Sequence, residues 1–234
     1  MEEEENMYMK KNVKYRWGIY FLGIVILTCG LTLNTKAVLG TAPIISIAYA
    51  ASNILEISLG DASFIEYLFF VTIEIGIHII SKQERRILFQ DLLQIPFSII
   101  FTRFLNLFAS QIPSFEESGL PIQLGVLAGA IFLTGIGASM MLDMNLIVNP
   151  GDGIVKAVSE AAKKEIGITK NIFDCCCLLS TILFCRLCKS PIIGIGLGTI
   201  CSMLGVGRVM HLFNYFMKQK ISQKAGVEIN VNQR

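Results

Sequence analysis

Apolar residues in this chain come in long, nearly unbroken runs, and the charges gather in short stretches between them. The runs Trp17–Leu33, Phe64–Ile80, Ile87–Phe108, Ile122–Leu142, Ile172–Leu187 and Ile192–Phe216 each reach or approach the ~20 residues that a helix rising ~1.5 Å per residue needs to cross hydrocarbon. About six membrane-crossing helices are predicted. The charges collect at Glu2–Arg16, Lys82–Arg86, Glu116–Glu117, Lys156–Lys170 and Lys218–Arg234, where a multi-span protein has its loops and tails.

Two further helices are predicted that are too short or too polar to cross. One is Pro43–Ile57. The other is Gly153–Ile166, where Ile154, Val155, Val158, Ala161, Ala162 and Ile166 share one face and Lys156, Ser159, Glu160, Lys163 and Lys164 the other. Taking those charges through hydrocarbon would cost ~2.5–3.5 kcal/mol each, so this helix belongs at an interface or in a cavity. Its start is marked by Asn149-Pro150-Gly151-Asp152-Gly153, a Pro-Gly turn with Asp152 expected to accept backbone N–H bonds at the helix amino end. Two roles are open to Asp152: a plain cap, or one wall of a polar recess for a solute or ion.

Shifting the sequence on itself by 107 residues sets Gly30 on Gly137, Lys36 on Asp143, Leu39 on Leu146, Pro43 on Pro150, Ala50 on Ala157, Gly60 on Gly167 and Ile65 on Ile172. An offset of 105 then aligns "TRFLNLF" (102–108) with "GRVMHLF" (207–213). The order of elements repeats too, which predicts an internal duplication. Three crossings per copy place the second copy upside down. The expected fold is thus an all-α, polytopic membrane helix bundle, a 3+3 inverted-topology repeat with one short non-spanning or broken helix per half.

The Lys and Arg distribution orients it. With the amino terminus inside, "SKQERR" (81–86), the 153–166 helix and the lysines of the tail are also inside, and only Arg186 and Lys189 disagree. The expected organisation is a cytoplasmic tail 1–16, a first repeat 17–110, an outer linker 111–121, a second repeat 122–217 and a cytoplasmic tail 218–234. The acidic amino terminus and the long first apolar run do not read as a cleavable signal.

Ionisable residues inside spans are costly and tend to pair or to line a polar path. Counted from the charged loops, Arg103 and Glu66 lie at roughly 22 and 24 Å depth, and Asp174 and Arg208 at roughly 6 and 9–13 Å. Two ion pairs are expected, Glu66–Arg103 and Asp174–Arg208, either pinning helices together or gating a path. Glu74 and His78, four residues apart on one helix face, are expected to carry a proton, with a raised glutamate pKa and the imidazole as relay, or to be bonded quietly within the bundle.

At 53% hydrophobic and 16% charged, with mean hydropathy +0.60, the composition agrees with a membrane protein. A net charge of +2 without basic, aromatic-rich stripes gives no case for nucleic acid. The seven cysteines, Cys29, Cys175, Cys176, Cys177, Cys185, Cys188 and Cys201, read as small apolar residues; the lone Cys185–Cys188 pair has no second pair to complete a metal site. No metal or cofactor is expected, and no enzyme motif is present. The glycine-rich 194–207 stretch reads as a place of close helix approach.

The motif "NPGDGIVKAVSE", then "TKNIFD" and "GIGLGT", resembles the second half of the YczE/YyaS/YitT superfamily of bacterial integral membrane proteins, most of all its YczE-like branch. In the first half "GLTLNTKAVLGTAP" resembles that branch's break, although Ile44 and Ile45 follow Pro43 where relatives often carry Trp and Asp nearby. The resemblance runs from about Trp17 to Phe216. It implies a multi-pass protein of the bacterial plasma membrane with Asp152, Lys170 and Asp174 as motif positions, and it implies no reaction. The function expected is transport of a small polar solute or ion past breaks at Pro43 and at Asn149, Pro150, Gly151 and Gly153. The alternative is a non-transporting accessory protein that docks a partner through helix 43–57. Expected partners are the bilayer, the solute, and a membrane-protein partner or a second copy.

Overall fold

A computed structural model describes the backbone of residues 2–227 and the side chains of residues 12–227. The described chain is a bundle of helices: α1 (Glu2–Lys36), a 3-10 turn (Pro43–Ile45) leading into α2 (Ser46–Ile54), α3 (Leu59–Ile80), α4 (Arg85–Gln111), α5 (Leu120–Asp143), α6 (Pro150–Ala162), α7 (Ile166–Leu187), α8 (Leu197–Phe213), a π turn (Asn214–Lys218) and α9 (Gln219–Ala225). Five stretches, Asn12–Lys36, Leu59–Ile80, Arg85–Gln111, Leu120–Asp143 and Ile166–Leu187, are long and apolar enough to cross a membrane. The chain is an integral membrane protein.

The sixth expected crossing differs. Residues 192–196 are not helical, so α8 starts at Leu197 and is 17 residues long, about 26 Å. The five lost residues turn aside to bond the first break: Thr41 N–H donates to the Gly194 carbonyl (2.8 Å) and Gly198 N–H to that of Leu39 (2.6 Å).

Each long helix buries one stripe at three- to four-residue spacing. On α1 it is Tyr20, Ile24, Leu27, Leu31 and Asn34, and on α4 Asp91, Gln94, Phe97, Phe101 and Leu105. Aromatic rings link three helices at the centre, with centroids 5.9 Å apart for Tyr20–Phe97, 5.8 Å for Phe97–Phe101 and 5.7 Å for Tyr67–Phe101. Large apolar residues such as Ile65, Phe69, Phe89, Leu179 and Leu183 point outward, as they do where lipid replaces water.

The most extensive helix pair is α1 with α5; α4 packs on α1, and α8 on α5. Each short helix lies between the same two long ones, α2 against α3 and α7, and α6 against α7 and α3. The α3–α4 hairpin is tightly packed, whereas α7 and α8 touch at most marginally. The charged helix therefore folds into the bundle: Pro150, Gly151, Gly153, Ile154, Val155 and Ala157 are buried while Lys156 and Glu160 face out. It ends one turn before the Ile166 expected, because Lys163 takes a left-handed conformation (φ 50°) that closes the last turn.

Candidate functional site

The two breaks meet inside the bundle. Asn149, not Asp152, caps α6: its side-chain oxygen accepts from Gly151 N–H at 3.2 Å, Pro150 fills the first helical position, and Asp152 sits third. The carboxylate was expected to cap because it stands among free N–H groups, but a cap must precede the helix, and Pro150 starts it one residue after Asn149. Gly151 lies directly against the Ile44 side chain of the Pro43–Ile45 turn, so that any Cβ there would collide with it. Pro43, Pro150 and Gly151 are all buried. The amino ends of the two short helices thus abut, separated only by Ile44.

Next to this junction, at the end of the bundle where α1 begins, α3, α4 and α6 enclose a crevice of about 350 Å³. Glu74, His78, Asp91, Gln94, Gly153 and Lys156 line it, and the loop 145–148 forms its far wall. That loop is held by α1: Arg16 Nε donates to the Met144 carbonyl (2.7 Å), Arg16 Nη2 to that of Asn145 (2.7 Å), and the Tyr20 hydroxyl to that of Ile147 (2.9 Å). Lys218 Nζ, 3.7 Å from Asp143 Oδ1, ties the carboxyl-terminal segment to the same end.

Three ionisable groups converge in the crevice. Glu74, His78 and Asp91 are 3%, 6% and 3% exposed, and one nitrogen or oxygen from each lies within 4.8 Å of the others. His78 Nδ1 is 2.7 Å from Asp91 Oδ2. Gln94 Nε2 donates to Glu74 Oε1 at 3.0 Å, while Glu74 Oε2 and Gln94 Oε1 have no partner among the described residues. Gly153 makes room for this carboxylate, since a Cβ there would stand 2.6 Å from Oε2 and 2.8 Å from Oε1. Glu74 and His78 share no direct hydrogen bond: the imidazole reaches across to α4 and bonds Asp91. The sequence reading missed Asp91 because it falls so near the charged 82–86 loop. Its place on the Asp91, Gln94, Phe97, Phe101 stripe would have shown that it faces inward.

Neither expected long-range ion pair is present. Glu66 is buried with both carboxylate oxygens unpartnered among the described residues, and Arg103 is an exposed side chain 3.5 Å from Asp61. Asp174 is buried and lies 3.9 Å from Lys170 on its own helix, while Arg208 is exposed and in no ion pair among the described residues. Both arginines are exposed and do not turn into the bundle. Glu66 and Asp174 both face the side of the α6 start, where Asp152 and Tyr67 are within electrostatic reach. The outward part of the 43–57 segment is its end, with Leu55 and Ile57 exposed.

At the opposite end of the bundle the first break and the start of α8 pack backbone against backbone. Gly196 and Gly198 press on the backbone of Leu39, leaving no room for a side chain, and the Thr41 and Gly198 N–H bonds sew these segments together. Nearby, Asn34 Nδ2 donates to Ser202 Oγ at 2.6 Å, and the Ser46 and Thr181 hydroxyls share a hydrogen bond of 2.8 Å.

Among curated proteins and solved structures nothing matches the chain. One family does, over residues 14–215, a span that holds every helix of the site. By that match the chain belongs to DUF6198, a family of unknown function.

Proposed function

We propose that this protein moves a small polar solute or ion across a bacterial plasma membrane, taking it up in the crevice of α3, α4 and α6. The observation that carries this reading is a contrast between equivalent places in the two halves. By the 107- and 105-residue offsets, Leu39 corresponds to Leu146, Gly196 to Asp91, and Gly198 to Leu93. Where glycines press on Leu39 the segments pack backbone on backbone; where Asp91 and Leu93 stand across from Leu146 a crevice lies between them. An alternating-access carrier with one mouth closed and one open has this form.

The helix contacts support the inverted repeat behind it. Exchanging α1 with α5, α2 with α6, α3 with α7 and α4 with α8 turns the α2–α7 packing into α6–α3, and α1–α4 into α5–α8. The tight α3–α4 pair has no comparable counterpart, since α7 and α8 touch at most marginally. The lysine-rich segments favour a cytoplasmic side for the crevice, both termini and Lys156. The resemblance to the YczE-like branch supports the same membrane.

The test is uptake into proteoliposomes with a panel of ions and small polar solutes. Glu74→Gln should abolish flux. Gly198→Val, which pries at the closed end, should uncouple or block it while leaving binding at the crevice intact. No uptake of any solute, together with one stoichiometric partner captured in mild detergent, would replace this reading with the accessory role.

A further inference from the structure

We propose that the crevice is a binding site for a divalent transition-metal ion, held by Glu74, His78 and Asp91. Metal–ligand bonds of ~2.0–2.2 Å put ligand atoms about 3–4.4 Å apart. One donor atom from each of the three residues already lies within 4.8 Å of the others, so small side-chain rotations close the shell. Two long helices carry the set, with Glu74 and His78 one turn apart on α3 and Asp91 opposite on α4.

A second observation points to a ligand independently of the clustering. Glu74 Oε2 and the Gln94 side-chain oxygen are buried and unpartnered, each on a residue 3% exposed, and both residues line the cavity. Leaving such acceptors empty is expensive in a low-dielectric interior. A dication held by the three residues satisfies Glu74 Oε2, and the open volume beside it gives the ion a way in.

The donor chemistry selects the class of ion. Two carboxylates and one imidazole form a mixed oxygen and nitrogen set, which favours Mn²⁺, Fe²⁺, Co²⁺ or Zn²⁺ over Mg²⁺ and Ca²⁺ with their all-oxygen shells, and over thiolate-seeking Cu⁺. The charged groups on the α6 side are Lys156 and Glu160 at the rim, whose side chains lie 4.0 Å apart and are mostly exposed. Three protein side chains leave coordination positions open to the crevice, as an exchangeable ion requires. The site is a claim about binding and stands apart from transport: an ion that binds without crossing leaves it intact and removes only the role as cargo.

The test uses the purified full chain in detergent micelles, stripped with a chelator and titrated with Mn²⁺ by electron paramagnetic resonance and with Co²⁺ by visible absorption. One ion per chain is expected, with ligand-field bands and no thiolate charge-transfer bands, which separates this site from the seven cysteines. Glu74→Gln and Asp91→Asn, both near-isosteric, should each weaken binding about tenfold or more, and His78→Gln likewise, while Glu66→Gln binds as the parent does. Absence of saturable Mn²⁺ or Co²⁺ binding by the parent protein would overturn the proposal whatever the variants do. So would binding unchanged in folded Glu74→Gln and Asp91→Asn, or cobalt spectra dominated by thiolate.

Discussion

Substituting Gly153 by alanine probes the contact on which the crevice is built. The added methyl would stand 2.6 and 2.8 Å from the two oxygens of Glu74 and 3.0 Å from Gln94 Nε2, well inside ordinary van der Waals distance. Either the helices spread, an overpacking cost of ~1–3 kcal/mol, or the side chain swings aside and gives up its bond from Gln94, worth ~0.5–1.5 kcal/mol net. The loss is therefore about 0.5–3 kcal/mol, read as a lowered midpoint on titrating micelles with a denaturing detergent. Glu74→Asp draws the carboxylate back by one methylene, about 1.5 Å, and should make the alanine tolerable. The double-mutant cycle should therefore show a coupling of about 1 kcal/mol or more, in the sense that the pair is less damaged than the sum of the singles. Additive effects, or a Gly153→Ala protein as stable as its parent, would show that α6 does not press on Glu74 in the way described.

Asn149→Ala should cost ~1 kcal/mol through loss of the α6 cap, whereas Asp152→Ala should leave the unfolding midpoint nearly unchanged; the reverse order would restore Asp152 as the cap. Arg103→Gln should shift stability by no more than ~0.5 kcal/mol, because its 3.5 Å contact with Asp61 joins two mostly exposed side chains. In a cysteine-free background, a membrane-impermeant thiol reagent added to intact cells should label Ser114→Cys and spare Glu160→Cys; labelling of both, or of 160 alone, would refute the opposed orientation of the halves.

Much of the bundle could be read from the chain because burial in lipid leaves such a plain mark. The five long helices agree with apolar runs, and both proline breaks were placed from Pro43 and Pro150 alone. What escaped was direction around each helix axis. Counting residues put Glu66 level with Arg103, yet Arg103 falls off the Asp91, Gln94, Phe97, Phe101, Leu105 stripe that α4 turns inward, so the two never meet. Arg208 likewise falls outside the buried Gly198, Thr199, Ser202 face of α8. Asp91 was the converse case, a charge close to a loop that the same stripe carries into the interior. The shortened α8 was not legible either, since "SPIIGIGLG" (190–198) is as apolar as a span and reveals its extended course only through its bonds to Leu39 and Thr41.

The abutting starts of α2 and α6 have an electrostatic consequence. Each helix amino end carries roughly half a positive charge, and here Ile44, in the turn that leads into α2, lies directly against Gly151 at the start of α6. The carboxylate of Asp152, in the first turn of α6, offsets that field from the same place. Any side chain added at Gly151 would have to part these two segments, because Ile44 already fills the space between them.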